Sequence, residues 1–265
     1  CQNNMKQIGL GAHSFHDAHM HFPAGMYLSP GQDIHTLGNV NVGNLPAILP
    51  YIEQKNLYEL LSKDWQRTTW WGANNQPSQF RVPTFECPSS RARQYPGAVA
   101  QITYSSNSPG SGTLNLSLWP SNPNPGLTNY LPVAGGMGRS SDSGWDRYIG
   151  IFYQNSETKL DQVTNADGAS YTLLYGEVEG ADLSMVGFDK TRYTWMGSAA
   201  LAVAWGLKSG LPLWSPEGPR FSSNHTQIVN FCMGDGSVRS VNVETGNGPL
   251  RAASGKEDGI LYDEL

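Results

Sequence analysis

An α+β fold is what this sequence predicts: one helix at the start, packed on an antiparallel β-sheet that is fed by long loops. Three observations carry the expectation. Glycine (30) and proline (17) are plentiful while charged residues make up only 15% of 265, a mix that favours turns and short strands over a helical bundle. Apolar residues recur at helical spacing near the start and again after Leu45. Later apolar segments are short and bounded by turn residues, as strands are.

The opening CQNNMKQIGLGAHSFHDAHMHFPAG places Met5, Ile8, Ala12 and Phe15 on one face over about three turns, predicting a helix from about Asn3 to His19. Pro23 and Gly25 are expected to end it. A helix that starts without an N-cap side chain reads as the tail of a longer one, so residues 1–22 are taken as the C-terminal part of a long N-terminal helix. NLPAILPYIEQKNLYELLSKDW predicts a second helical region, restarting after Pro50 with Ile52, Leu57, Leu60 and Leu61. RVPTFECPSS is expected to be extended, because a residue before proline is pushed out of the α region. Residues 105–126, SSNSPGSGTLNLSLWPSNPNPG, read as a polar loop insertion with room for a short strand at Leu114–Leu118. TNYLPVAGG, YIGIFY and SYTLLYGEVEG are strand candidates, and TWMGSAALAVAWGL fits either a short helix or a buried strand. No repeat or low-complexity linker divides the chain, so one domain over residues 1–265 is expected.

Composition excludes several functions. The formal net charge is -5 and no Lys/Arg cluster occurs, whereas nucleic-acid binding needs a basic footprint. No apolar run of about eighteen residues is present to span a bilayer, and no polybasic or strongly amphipathic segment suits a membrane surface. Gly-x-Ser-x-Gly, phosphate-binding and dinucleotide-binding loops are all absent, so no cofactor and no nucleophile is expected. Cys1, Cys87 and Cys232 are far apart with no C-x-x-C, which excludes a zinc site made of cysteines alone. Their number suits one disulfide plus one free thiol, or free thiols throughout. Cys232, between Phe231 and Met233, reads as a buried core residue.

SSNHTQIVNFCMGDGSVRSV, residues 222–241, poses the functional question. Ile228–Met233 is nearly continuous apolar sequence, and Asp235-Gly236 suits the centre of a type I′ hairpin turn. At about 3.3 Å per residue, His225 and Asp235 would stand about 30 Å apart at opposite ends of the hairpin. Proton transfer needs contact at about 3 Å, so the two cannot form a catalytic dyad. Residues 222–243 are therefore read as architecture: His225 anchors the strand entry, and Asp235 and Gly236 turn the chain.

The stretch from His225 to Asp235-Gly236 resembles the C-terminal H-x9-DG motif of a large bacterial prepilin-like family of unknown function. CQNNMKQIGLGAHSFHDAHMHFPAG, LPYIEQKNLYELL, VPTFECPSS, TNYLPVAGG and KLDQVTNADGASYTLLYGEVEG resemble its earlier blocks, in order. The resemblance implies a pilin-like fold and a prepilin leader with a long apolar helix ahead of the part seen here. It further implies export to the cell surface or exterior, with self-assembly and membrane attachment only through that helix. It also implies a cysteine at the positions of Cys1 and Cys87. Since disulfides persist in exported domains, a Cys1–Cys87 bridge is expected. The family has also been labelled extracellular solute-binding, which supplies the alternative function.

Several residues offer sharper sites beside this structural reading. His13 and His16 share a helix face at i, i+3 and are weak metal candidates, with His19 and His21 nearby. Asp142 and Asp146 lie in SSDSGWDRY in the manner of a calcium-binding loop, but without the ligand spacing or glycine of an EF-hand. Glu177, Glu179 and Asp182 in GEVEGAD offer carboxylates for glycosidase-like chemistry. Trp65, Trp70 and Trp71, beside Asn and Gln, are the candidate surface for a glycan or peptide ligand. The resulting expectation is a non-enzymatic structural and interaction protein, the head of a pilin- or pseudopilin-like subunit; the alternative is an extracellular solute- or glycan-binding module.

Overall fold

The helical spacing at the start becomes α1 (Gln2–His19), which buries Met5, Ile8, Ala12 and Phe15 together with Gly9 and Gly11. Met20, in the left-handed region at φ 64°, ends it and donates its N–H to the His16 carbonyl; the stop comes before Pro23. The computed structural model describes residues 1–28, 41–67, 74–90, 99–108, 111–119, 125–139, 143–183, 188–204, 206–209, 220–260, 262 and 265.

Strands β1 (Met26–Leu28) and β2 (Asn41–Gly43) pair antiparallel. The second helical region is broken into a 3₁₀ segment at Leu45–Tyr51 and a short α2 (Lys55–Glu59). Pro50, inside the pattern, explains the break, since it lacks an N–H and its ring crowds the preceding turn, whereas Pro46 sits in the first turn, where proline is tolerated. After α3 (Asn75–Ser78), Pro83–Phe85 forms a 3₁₀ turn, with its flanks Val82 and Glu86 extended.

Strands β3 (Val99–Ser108) and β4 (Ser111–Trp119) form a long antiparallel hairpin. This corrects the reading of residues 105–126 as a loop insertion. Leu114, Leu116 and Leu118 alternate with polar residues at strand period, a signal that the Pro and Gly flanks had outweighed.

The chain continues through β5 (Leu127–Thr128), β6 (Tyr130–Pro132), α4 (Ser143–Asp146) and α5 (Leu160–Asn165). Then come β7 (Leu173–Glu177), β8 (Ala181–Leu183), β9 (Phe188–Thr194), β10 (Leu207–Ser209) and β11 (Phe221–Ser223). The last elements are β12 (Ile228–Met233), β13 (Val238–Asn242) and α6 (Asn247–Ser254). YIGIFY is not a strand; it meets Gly135 through a single bridge at Ile149. Buried residues 195–203 are neither helix nor strand, with one bridge from Leu201 to Val133.

The molecule is thus a mixed α+β protein with largely antiparallel sheets. Its central sheet has the order β13-β12-β7-β6, antiparallel throughout. A second sheet has the order β4-β3-β9-β5, with β8 also on β9 and a parallel β3–β9 pair. Strands β10 and β11 pair parallel. Two cores flank the central sheet. On one side, Met5, Ile8, Ala12 and Phe15 of α1 pack with Ile48, Leu49, Tyr175 and Cys232. On the other, Val229, Phe231 and Met233 of β12 pack with Phe221, Leu250 and Ala253. The two-residue period of β12 sets this division. No helix among the described residues is long and apolar enough to cross a membrane.

Candidate functional site

Strand β12 lies under α1, and the residues at its two ends hold the helix by different means. At the far end Gly236 N–H bonds the Met233 carbonyl at 2.9 Å, and Met233 N–H bonds the Ser237 carbonyl at 2.8 Å. Gly236 has φ 77°, whereas Asp235 does not have a positive φ. The turn is therefore a three-residue loop, Gly234-Asp235-Gly236, with a left-handed glycine in last place as in a G1 bulge. This corrects the type I′ expectation. Asp235 Oδ1 accepts the Ser237 N–H at 2.8 Å, and Lys6 of α1 donates Nζ to the Gly236 carbonyl at 2.6 Å. Between the two ends, Gly9 lets the helix approach: a Cβ there would stand 2.5 Å from Cys232 Sγ.

The near end is covalent and polar. Cys1 and Cys87 form a disulfide with Cα atoms 4.8 Å apart, tying the start of α1 to the segment after Pro83. Glu177, at the end of β7, is 1% exposed. Its Oε2 accepts both the N–H and the Nδ2 of Asn230, each at 2.9 Å. Its Oε1 lies 3.4 Å from His225 Nε2 but makes no hydrogen bond. Asn230 Oδ1 in turn accepts from Gln2 Nε2 at 3.1 Å and Ser240 Oγ at 2.7 Å. Tyr130 donates its hydroxyl to the Cys1 carbonyl at 3.2 Å. Burial, reinforced by the Glu177 charge, raises the pKa of that phenol far above its ordinary value. His225 Nε2 is also 3.9 Å from Cys87 Sγ. One ligand atom from each of Cys1, Cys87, Glu177 and His225 lies within 4.8 Å of the others. Two clefts flank the disulfide. One, of about 400 Å³, is lined by Asn4, Glu86 and Cys87, and the other, of about 370 Å³, by Gln2, His225 and Asn230.

A family model described as "Protein of unknown function (DUF1559)", with the short name SBP_bac_10, matches residues 1–247. The chain belongs to the DUF1559 family. No curated protein and no solved structure matches it.

In this DUF1559 protein the four histidines in and just after α1 pack in pairs on Phe22 and Phe15. His16 Nε2 accepts the Leu160 N–H at 3.1 Å, and His19 stacks on Phe15 with ring centroids 4.1 Å apart. His21 Nδ1 lies 2.8 Å from the Phe22 carbonyl. His13 meets Phe22 edge-on, and its Nε2 is buried without a hydrogen bond. Burial lowers the His13 pKa first of all, and a Gly234 backbone bond partly opposes it. Among the described residues, His13 and His16 belong to no group of His, Cys and carboxylates close enough to hold one ion.

Asp146 ends α4, and Asp142 lies outside the described residues. Trp65 does not offer a face to a ligand. It is 5% exposed, lies edge-on to Tyr27 and donates Nε1 to Tyr58 at 3.3 Å. Trp70 and Trp71 lie outside the described residues. Glu179 is buried, its own N–H bonded to Ser222 Oγ, and the side chain of Asp182 lies outside the described residues. Cys232 is a free, buried thiol whose pKa burial pushes up to about 12.

In the sequence His225 and Glu177 stand far apart, one as a strand anchor and the other as a candidate acid. The structure brings them together because β7 and β12 are neighbours, with Phe231 opposite Gly176. The available signal was a carboxylate closing the apolar run LLYGE, where an uncompensated charge is costly and a partner should be sought.

Proposed function

We propose that this chain is the displayed head of a pilin- or pseudopilin-like surface subunit, a structural and interaction protein without catalytic activity. It is exported, and it assembles through an apolar helix joined to α1. The observation that carries the reading is the double fastening of α1: the Cys1–Cys87 bridge and Gln2 network at its start, and Lys6 on the Gly236 carbonyl one turn on. A helix that joins a head to a filament or membrane carries load through that junction, and a covalent tie suits it. The polar groups here also serve one another. Gln2, Asn230, Ser240 and Glu177 Oε2 are joined in one network, whereas a catalytic pocket keeps such groups directed at its substrate. The test is electron microscopy of the full-length protein as produced by its native cell. Filaments or ordered surface assemblies that carry it support the reading. A monomer secreted freely after removal of an ordinary signal peptide refutes it.

A second reading, capture of a sugar or peptide outside the cell, rests on one cleft of about 370 Å³ lined by His21, Tyr27, Gln66, Arg67, Asn155 and Glu157. An aromatic wall with several polar groups is the usual makeup of such a site. Calorimetry against a panel of oligosaccharides and short peptides tests it; heat of binding that Tyr27→Ala removes would support it, and none would end it.

A further inference from the structure

We infer that the Cys1–Cys87 disulfide covers a divalent-metal site: once reduced, the two thiolates bind zinc together with His225 and Glu177. This goes beyond the structural role proposed above and does not depend on it.

The side chains already converge. Glu177 Oε1 and His225 Nε2 are 3.4 Å apart, and His225 Nε2 and Cys87 Sγ are 3.9 Å apart. A tetrahedral zinc with ordinary bond lengths needs ligand–ligand edges of about 3.4 Å for N and O, about 3.6 Å for N and S, and about 3.8 Å between sulfurs. Two edges of the polyhedron are therefore nearly in place, the other donor atoms lie within 4.8 Å of one another, and the two sulfurs must separate. The donors are a thiolate pair, an imidazole and a carboxylate, a set that zinc accepts.

A second observation points the same way. Glu177 is 1% exposed, yet Oε1 has no hydrogen-bond donor and is directed at His225 beside the disulfide. A buried carboxylate oxygen without a donor is costly, and a bound cation would satisfy it. The remaining oxygen, Oε2, is held by two bonds from Asn230, which fixes the carboxylate as an outer shell fixes a metal ligand. The cleft lined by Cys1, Gln2, His225 and Asn230 gives an ion a path from solvent.

The chemistry balances with a thiol reductant. A dithiol transfers its two hydrogens to the Cys1 and Cys87 sulfurs as their S–S bond breaks, and it leaves as its own disulfide. The incoming zinc ion then displaces both thiol protons to solvent while two Zn–S bonds form. The disulfide and the metal thus become alternative locks for the same junction between α1 and the segment after Pro83.

Cobalt(II) is the probe, because thiolate ligation gives it a near-ultraviolet charge-transfer band and a tetrahedral site gives visible bands. The whole chain is reduced with a water-soluble phosphine, freed of it under nitrogen and titrated with cobalt chloride, beside an untreated sample. The reduced chain should take one cobalt per molecule with both sets of bands, zinc should displace it, and the oxidised chain should show neither. His225→Ala and Glu177→Gln should each weaken binding about tenfold or more, while Cys232→Ser should leave the bands unchanged. No cobalt bands in the reduced wild type overturns the inference, whatever the variants do. So do bands that survive both His225→Ala and Glu177→Gln at full affinity, or bands that Cys232→Ser removes.

Discussion

The two ends of β12 hold the same helix with different chemistry. At the His225 end the fastening is a disulfide and a buried network running Gln2–Asn230–Glu177, with the His225 ring beside it. At the Asp235-Gly236 end it is one lysine bond to a backbone carbonyl, on a turn that depends on a glycine at φ 77°. The first end is sensitive to redox state and buried charge; the second is sensitive to backbone conformation. A spacing that resembles a catalytic pair in sequence is thus a pair of supports under one helix.

Losing the covalent tie should produce the largest effect. The bridge joins residues 86 apart, so reduction with a chelator present, or Cys87→Ser, should lower stability by up to about 4–5 kcal/mol in the chain-entropy model. Urea denaturation measures it, and a loss below about 1 kcal/mol would show that the near end is not the stronger support. The comparison sharpens when carboxylates are removed from each end. Glu177→Ala strands two buried donors of Asn230 and should cost about 2–4 kcal/mol, whereas Asp235→Ala gives up one exposed bond to Ser237 and should cost about 1 kcal/mol or less. Equal losses would break the contrast.

At the turn, Gly236→Val should cost about 1–2 kcal/mol, because a β-branched residue is strained at that φ. Gly236→Asn should cost visibly less, since asparagine tolerates the left-handed region. The smallest effect concerns pH. Burial lowers the His13 pKa below the usual value near 6.5, so the folded state favours the neutral ring. Its contribution is present above that value and is lost as pH falls from there through the lowered value of the folded state. His13→Gln should therefore flatten part of the acid-side fall in stability, read as urea midpoints across pH; an unchanged profile would remove His13 from the account.

Much of the fold was legible in the sequence where one period dominated. Met5, Ile8, Ala12 and Phe15 specified α1, and the apolar run Ile228–Met233 with its Asp-Gly signal specified a hairpin. Conflicting local signals hid the rest. Pro50 broke the helix pattern at Leu45–Tyr51, and the alternation of Leu114, Leu116 and Leu118 was masked by flanking Pro and Gly. The Cys1–Cys87 bridge was expected through family resemblance, since spacing alone left the thiols open. The Glu177–His225 approach was not legible, because it depends on which strands become neighbours.

Hydrogen exchange followed by peptide mass spectrometry tests the two-support claim most directly, on the oxidised chain, the reduced and chelated chain, and Gly236→Val. Reduction should speed exchange over residues 2–8 and spare residues 12–19. Gly236→Val should speed it over residues 228–242 and around Lys6, which bonds the Gly236 carbonyl, and leave residues 2–4 held by the intact bridge. Residues 2–8 as slow after reduction as before, or a loosening of the whole of α1 alike by both changes, would contradict two separate supports.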